Sequence, residues 1–196
     1  NRFYVYKDEL ARASDAAVID LDEDASMANY SATSSCDTPL VLPGNALRGW
    51  FMNLAQGEQV VTSSLIAGGM VTFSTNRPIP PVEGTCTTML GEARGYWLNL
   101  LNASGAINVP GSCGGTRSSA FVGGGLPPSP VLATGVPIQS VDQNGRTVTK
   151  SVTVVIGAVQ KGSDGATGAS VAISPQRVRP TIRSKRKRTY SYTSGD

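Results

Sequence analysis

The chain carries one short aromatic string twice, about 46 residues apart. The first copy reads Arg-Gly-Trp-Phe-Met-Asn-Leu from Arg48, and the second reads Arg-Gly-Tyr-Trp-Leu-Asn-Leu from Arg94. Each copy places large aromatic residues in an alternating apolar and polar run, which is typical of a half-buried strand. Two strands of any all-β protein can resemble each other by chance. Repeats of about 40–50 residues are, however, also the period of four-stranded propeller blades, and we favour that interpretation.

The composition also favours many short strands joined by turns. The chain has 22 Gly and 12 Pro among 196 residues, and charged residues make up 16% of it, against the usual quarter or so. The sequence has no apolar run of about 18 residues that would predict a transmembrane helix. We therefore predict an all-β fold with long Gly- and Pro-rich loops.

The absence of histidine narrows the chemistry that the chain can perform. With no His in the sequence, Ser-His-Asp and Cys-His nucleophile pairs and His-based zinc sites are excluded. The glycine run that starts at Gly123 is followed by Leu126 and two prolines rather than by the Lys-Ser/Thr pair of a phosphate-binding loop. No pair of carboxylates stands out by its spacing. We therefore predict that the protein is not an enzyme.

Hydrophobic alternation and turn residues predict where the strands lie. A short helix is possible over residues 9–17, and 108–130 is expected to be a loop. Gly68-Gly69 and Asn144-Gly145 predict two hairpin turns, and residues 102–105 predict a turn at which Asn and Gly adopt positive φ. Residues 163–170 read as a linker. The predicted strands cover residues 3–7, 50–54, 58–65, 70–75, 96–101, 136–141 and 147–159.

The order of several short motifs resembles a known family. These motifs are Gly49-Trp50-x-x-x-Leu54, Gly57-Glu58-x-Val60-Val61 and Leu65-x-x-Gly68-Gly69-x-Val71-x-Phe73. Together they resemble the C-terminal β-propeller of PilC/PilY-type type IV pilus proteins, and the likeness covers most of residues 1–110. One departure is Gln59, where that family often has Arg.

The resemblance implies a fold and a function. Residues 1–196 would be the C-terminal portion of one propeller, about two to three four-stranded blades, with a basic strand or tail at 177–196. The N-terminal part of the protein would lie outside this chain, which opens in a strand without a Met. The function implied is non-catalytic: pilus biogenesis that supports extension against retraction, and hence twitching motility, with adhesion at the pilus tip. The implied partners are minor pilins and other pilus components, the rest of the propeller, and a host or abiotic surface. The implied location is secreted, on the outer membrane or at the pilus tip.

An acidic cluster is a candidate calcium site. Asp20, Asp22 and Asp24 stand at alternate positions, and such carboxylates can supply three of the six to eight oxygens that calcium needs. However, Ala25 stands where an EF-hand-like loop needs Gly, and Ser31 where it needs the bidentate Glu. A solvated acidic loop explains the same residues. The resemblance places the family's own calcium loop upstream of this chain.

The three cysteines suit an oxidising compartment. Cys86 and Cys113 flank the second aromatic string and lie in Gly- and Pro-rich loops, so we predict a disulfide between them. Three cysteines allow three single pairings, and Cys36 could be the partner of either residue, pair outside this chain or stay free. A zinc site is not expected, because the chain has neither a CxxC motif nor a histidine.

A basic run near the end of the sequence supports other functions. Lys185, Arg186, Lys187 and Arg188 can contact an anionic surface or nucleic acid. They also suit a terminal strand whose charges guard an edge against aggregation. No wide basic face accompanies them, so nucleic acid is not the expected partner. The alternatives are thus a nucleic-acid-binding β protein with a basic arm, or a fragment of a quinoprotein-like propeller dehydrogenase, since the string at Trp97 also resembles that group's blade strands.

Overall fold

The described part of the protein consists of strands and loops. The computed structural model describes residues 1–7, 21–32, 36, 41, 46–80, 83–84, 90–109, 111–121, 124–160 and 173–178. Over these ranges it has no helix, and so none of the length and apolar character that a membrane crossing needs. The strands are β1 Arg2–Tyr6, β2 Met27–Asn29, β3 Gly49–Asn53, β4 Gln59–Val60, β5 Leu65–Ala67, β6 Met70–Arg77, β7 Glu92–Asn99, β8 Ser118–Ala120, β9 Val131–Val141, β10 Thr147–Gln160 and β11 Ile173–Arg177.

The first sheet has the strand order β1-β3-β2. Strand β3 pairs antiparallel with β1, from Arg2 opposite Asn53 to Tyr6 opposite Gly49. On its other side it pairs parallel with β2, with Met27 opposite Gly49. The aromatic string therefore forms the middle strand of this sheet, where both of its edges are paired.

The central sheet is an antiparallel meander. Its order is β4-β6-β7-β8, and β5 pairs with the same edge of β6 as β4 does. Gly68 and Gly69 both have positive φ, which closes the tight β5–β6 hairpin. Strands β6 and β7 pair along their whole length, from Met70 opposite Asn99 to Arg77 opposite Glu92.

The third sheet has the order β11-β10-β9. Strands β9 and β10 form a long hairpin closed at Gly145, whose φ is 78°. The main-chain N–H groups of Asn144 and Arg146 donate to the Asp142 carboxylate and hold that turn in shape. A register shift between Val152 and Val154 marks a bulge in this hairpin.

The three sheets enclose two apolar cores, one on each face of the central sheet. In the first core, side chains of β1 and β3 pack against Val71, Phe73, Tyr96 and Leu98. The rings of Phe3 and Tyr96 stack on the two sides of Phe73, with centroids 3.7 and 4.7 Å away from it. The second core contains Met70, Trp97 and Ile107 of the opposite face together with Val155 of β10. The alternation of β6 and β7 thus supplies both cores, because successive side chains point to opposite faces.

The two copies of the aromatic string face each other. Trp50 and Met52 of the first copy lie in the same core as their equivalents Tyr96 and Leu98 of the second. Blades related by rotation about a propeller axis would direct equivalent side chains the same way around that axis. The repeat therefore relates two facing strands of neighbouring sheets, and the two strings are not equivalent strands of two blades.

Most of the predicted strands and both predicted hairpins are confirmed, apart from the following differences. The single strand predicted over 58–65 is two short strands, β4 and β5, and residues 61–64 between them belong to neither. The region 108–130, predicted as a loop, contains β8, and the short strands β2 and β11 were not predicted. In the turn at 102–105 the positive φ belongs to Ala103, at 55°, and not to its Asn or Gly. The possible helix at 9–17 and the linker at 163–170 lie outside the described residues.

Candidate functional site

A buried glutamate joins the loop after β3 to the central sheet. Glu58 is only 2% exposed, and it follows Gly57, whose positive φ turns the chain into β4. Its Oε1 atom accepts hydrogen bonds from the Thr75 hydroxyl at 2.5 Å and the Tyr96 hydroxyl at 2.8 Å. Its Oε2 atom accepts one from the main-chain N–H of Ala55 at 2.9 Å. Three donors thus compensate the desolvation of the carboxylate.

Tyr96 is held as a neutral donor beside this carboxylate. Burial and, next, the hydrogen bond to the Glu58 carboxylate raise the pKa of Tyr96 well above that of an ordinary tyrosine. A phenolate there would be both desolvated and repelled by the carboxylate. The Tyr96 hydroxyl therefore keeps its proton throughout the physiological range.

An ion-pair network of Arg77, Glu92 and Arg94 lies in the same cleft as Glu58. Arg77 of β6 and Glu92 of β7 stand opposite each other and are paired, and Arg94 contacts the second oxygen of Glu92. Burial opposes ionisation of Glu92, but the Arg94 and Arg77 guanidinium groups outweigh it and lower the pKa of that carboxyl. Glu92 is therefore charged at neutral pH.

These groups line a polar cleft of about 270 Å³, formed by Ala55, Glu58, Arg77, Glu92, Arg94 and Tyr96. Two arginines and two glutamates balance one another in charge. Because Glu58 already accepts three hydrogen bonds, its carboxylate acts as a structural anchor. The partly exposed guanidinium groups of Arg77 and Arg94 are the groups that can meet a polar ligand. The arrangement is suited to binding.

Two of the three aspartates predicted to bind calcium, Asp22 and Asp24, are among the described residues. Asp22 pairs with the Arg2 guanidinium at 2.8 Å and accepts a hydrogen bond from the Tyr4 hydroxyl. Asp24 accepts hydrogen bonds from the main-chain N–H and the hydroxyl of Ser26, which lower the pKa of this carboxyl, with a smaller contribution from Arg48. Among the described residues no group of three or more His, Cys, Asp or Glu residues is arranged to hold a metal. Asp20 lies outside those residues, and the calcium site stays a prediction.

The disulfide prediction named the wrong partner for Cys113. The structure pairs Cys113 with Cys36, with their sulfur atoms 2.03 Å and their Cα atoms 5.1 Å apart. The expected Cys86–Cys113 bridge is therefore corrected to Cys36–Cys113, and Cys86 lies outside the described residues. Proximity of Cys86 and Cys113 along the chain suggested the first pairing. Packing instead brings the segment after β2 beside the 111–115 loop, so the bridge spans 77 residues.

The basic run at 185–188 also lies outside the described residues. Of the expected basic strand or tail at 177–196, the structure describes the first two residues. Arg177 is the last residue of β11, and the main-chain N–H of Val178 donates to Thr153 of β10. The strand therefore extends the third sheet at the point where the basic segment begins.

The polar cleft was not found by sequence reasoning. In the sequence, Glu58 stood out only as part of the family pattern. No motif linked Glu58 to Tyr96 or to the pair Arg77 and Glu92. The available signal was positional: Arg77 and Glu92 end and begin two long strands, so an antiparallel pairing of those strands sets them opposite each other.

Comparisons with known proteins leave the family assignment open. Searches against protein-family models, curated proteins and solved structures find no significant match to this chain. What the fold and the cleft define is an all-β protein whose described residues form three sheets and a polar cleft.

Proposed function

We propose that the protein is a non-catalytic type IV pilus biogenesis factor of the PilC/PilY kind. It would support pilus extension against retraction and adhesion of the pilus tip to a host or abiotic surface. The observation that carries the proposal is that the motifs of the resemblance occupy structurally demanding positions of one connected unit. A chance likeness of loop residues would not give that pattern.

Each motif has a physical role in that unit. A Cβ atom at Gly49 would lie 2.2 Å from the main-chain oxygen of Val5, so β3 passes β1 too closely for any other residue. Trp50 and Phe73 are fully buried in the first core. Glu58 is the anchor of the polar cleft, and Gly68-Gly69 forms the β5–β6 turn. The pattern Gly-Trp, Gly-Glu, Gly-Gly is thus a set of fold-determining residues.

The central sheet supports the propeller interpretation. Its strands β4 with β5, β6, β7 and β8 make a four-stranded antiparallel meander, which is the topology of a propeller blade. We propose that this sheet is one blade and that the first and third sheets belong to its neighbours. The rest of the propeller would be formed by chain outside these 196 residues.

The proposed mechanism is recognition by a rigid β scaffold. Loops and clefts held by packed sheets are where binding residues concentrate. The polar cleft with Arg77 and Arg94 is the candidate contact for minor pilins or other pilus components. The protein would then lie outside the cell, on the outer membrane or at the pilus tip, and calcium would bind in the upstream part of the protein.

The proposal is tested by mass spectrometry of pili sheared from the source cells. Peptides from residues 49–94 are expected in the pilus fraction, depleted when the assembly machinery is deleted and restored on complementation. A soluble periplasmic protein of the same abundance serves as the control for carry-over. Recovery of these peptides only from the soluble periplasm would overturn the proposal and favour the quinoprotein-like alternative, which an absorbance scan for a bound quinone would then examine.

A second arm tests the cleft. The double variant Arg77→Gln/Arg94→Gln should lower recovery of the protein with pili while leaving its total amount in the cell unchanged. Arg146→Gln, an exposed arginine in the β9–β10 turn, is the matched control. Unchanged recovery of the double variant would show that the cleft is not the contact.

A further inference from the structure

The tip of the long β9–β10 hairpin carries the Asn-Gly pair of the sequence. Asn144 and Gly145 are both exposed in the turn between the two strands. Every other asparagine of the chain is followed by a residue with a side chain. A Cβ atom built at Gly145 would meet no heavy atom within 4 Å. The main chain at this glycine therefore has open space beside it.

The side chain of Asn144 is not held in place by the turn. The hydrogen bond that Asn144 makes comes from its main-chain N–H, and its side-chain amide has no partner in the part of the chain that the structure describes. Asparagine is a chemically labile residue, because the main-chain nitrogen of the next residue can attack its side-chain carbonyl carbon and close a succinimide ring. A side chain on that next residue hinders the closure, and glycine has none.

Asp142 restrains the main chain on both sides of the nitrogen that would attack. Its Oδ1 atom accepts hydrogen bonds from the main-chain N–H groups of Asn144 at 2.9 Å and Arg146 at 2.8 Å. The N–H of Gly145 itself donates to the Asp142 carbonyl at 3.1 Å. The Gly145 nitrogen must give up that hydrogen bond and lose its proton before it reacts. The carboxylate of Asp142 also opposes the negative charge that then develops on the nitrogen.

We propose that Asn144 is a site of spontaneous covalent modification and that Asp142 slows the reaction. Hydroxide removes the N–H proton of Gly145, and the Gly145 nitrogen bonds to Cγ of Asn144. The bond from Cγ to Nδ2 breaks, and the nitrogen leaves as ammonia with a proton from solvent. Water then adds to either carbonyl of the ring, which opens to an aspartate or an isoaspartate. One water is consumed and one ammonia released, and the site does not depend on the proposed pilus function.

The modification changes the tip of the hairpin and leaves the cores in place. Either product carries a new carboxylate close to that of Asp142, and the two like charges repel each other. Isoaspartate also adds a carbon to the main chain, so the hydrogen bonds from Asn144 and Arg146 to Asp142 no longer fit. Val155, which packs in the second core, lies further along β10. The closed turn is therefore expected to open while the sheets stay folded.

Ageing of the full chain at neutral and at mildly alkaline pH tests the proposal. Peptide mapping by mass spectrometry, with fragmentation that separates aspartate from isoaspartate, follows each asparagine over time. Asn144 should convert faster than any other asparagine, at a rate that rises in proportion to the hydroxide concentration, with release of an equal amount of ammonia. In Asn144→Gln the signal should be lost, because the longer side chain would have to close a larger ring.

Variants of Asp142 test its restraining role. Asp142→Ala removes two charge-assisted hydrogen bonds and should speed the conversion of Asn144 by about tenfold. Asp142→Asn keeps an acceptor oxygen but not the charge, so its increase should be smaller. Glu83→Gln removes an exposed carboxylate elsewhere and should leave the rate unchanged. Far-ultraviolet dichroism of each variant checks that the sheets are intact.

Two results would overturn the proposal. One is an Asn144 that stays unmodified for as long as a synthetic peptide of residues 140–147 takes to convert completely, which would show that the folded turn forbids the reaction. The other is an equal rate in Asp142→Ala and Glu83→Gln, which would show that Asp142 does not restrain it.

Discussion

Glu58 is a charged side chain at a position where an unpaired charge would be costly. A buried carboxylate without partners destabilises a fold by several kcal/mol. Here the loop after β3, strand β6 and strand β7 each donate one hydrogen bond to it. The carboxylate therefore ties three segments together and fixes the wall of the polar cleft.

Replacement of Glu58 by Gln tests that role. The amide oxygen of Gln can still accept from Thr75 and Tyr96, but its NH₂ group would then face the main-chain N–H of Ala55, donor against donor. We expect a loss of about 2 kcal/mol in the free energy of unfolding, measured by urea denaturation. Glu83→Gln makes the same chemical change at an exposed site and should stay within about 0.5 kcal/mol of the parent. Equal effects of the two variants would refute the anchoring role.

Tyr96 predicts how stability responds to alkaline pH. Its folded-state pKa is raised above the unfolded value by burial and by Glu58. The contribution of Tyr96 to the free energy of unfolding is therefore fully present below about pH 10 and is lost as the pH rises. Above that pH the unfolded chain releases a proton that the folded chain retains. In Tyr96→Phe this loss is absent. The difference in unfolding free energy between parent and variant should thus fall by up to about 1.4 kcal/mol per pH unit above pH 10. A difference that stays constant from about pH 8 to 11 would contradict the assignment.

At the scale of elements, the sequence predicted the features that depend on a few adjacent residues, such as the hairpin turns. Gly68, Gly69 and Gly145 supply the positive φ that these tight turns require, so both hairpins followed from a few adjacent residues. The parallel pairing of β2 with β3 and the Cys36–Cys113 bridge join distant segments. These depend on which faces pack against each other, and a single sequence carries no signal for that choice. The cleft was missed for the same reason.

The close contact of β3 with β1 predicts that Gly49 cannot be replaced without loss of stability. An added Cβ would lie 2.2 Å from the Val5 oxygen and 2.9 Å from the Met27 sulfur, and the main-chain atom cannot move without separating the strands. Gly49→Ala should cost at least about 2 kcal/mol, measured as a lower urea midpoint. Gly111→Ala is the matched control, since its nearest neighbour would be 3.9 Å away. A neutral Gly49→Ala would show that β1 does not pack as described.

The disulfide links two loops that meet beside the central sheet. Non-reducing digestion should give a cross-linked peptide pair containing Cys36 and Cys113, with Cys86 open to alkylation. Cys113→Ser should lower the free energy of unfolding by about 4 kcal/mol, as expected for closure of a loop of 77 residues. Cys86→Ser should leave the bridge and the stability unchanged. A cross-link between Cys86 and Cys113 would instead restore the pairing expected from the sequence.

At the scale of the whole molecule, the central sheet serves both cores. Its β6 and β7 strands send Phe73 and Leu98 into the first core, and Met70 and Trp97 into the second. Neither outer sheet can bury its apolar face without it. Loss of the central sheet would expose both cores at once, so the layers are expected to unfold together.

The two tryptophans of the chain test this coupling directly. Trp50 lies in the first core and Trp97 in the second, and the chain has no others. Trp97→Phe leaves a reporter of the first core, and Trp50→Phe leaves a reporter of the second. Each substitution lowers stability in its own way, so the comparison is made within each variant. In both, the fluorescence midpoint in urea should coincide with the midpoint of the far-ultraviolet dichroism, as a two-state transition requires.

If the third sheet detached first, the fluorescence of Trp97 would change at lower urea than the dichroism, whereas that of Trp50 would not. Such a split would show two independent layers in place of one cooperative unit built on the central sheet.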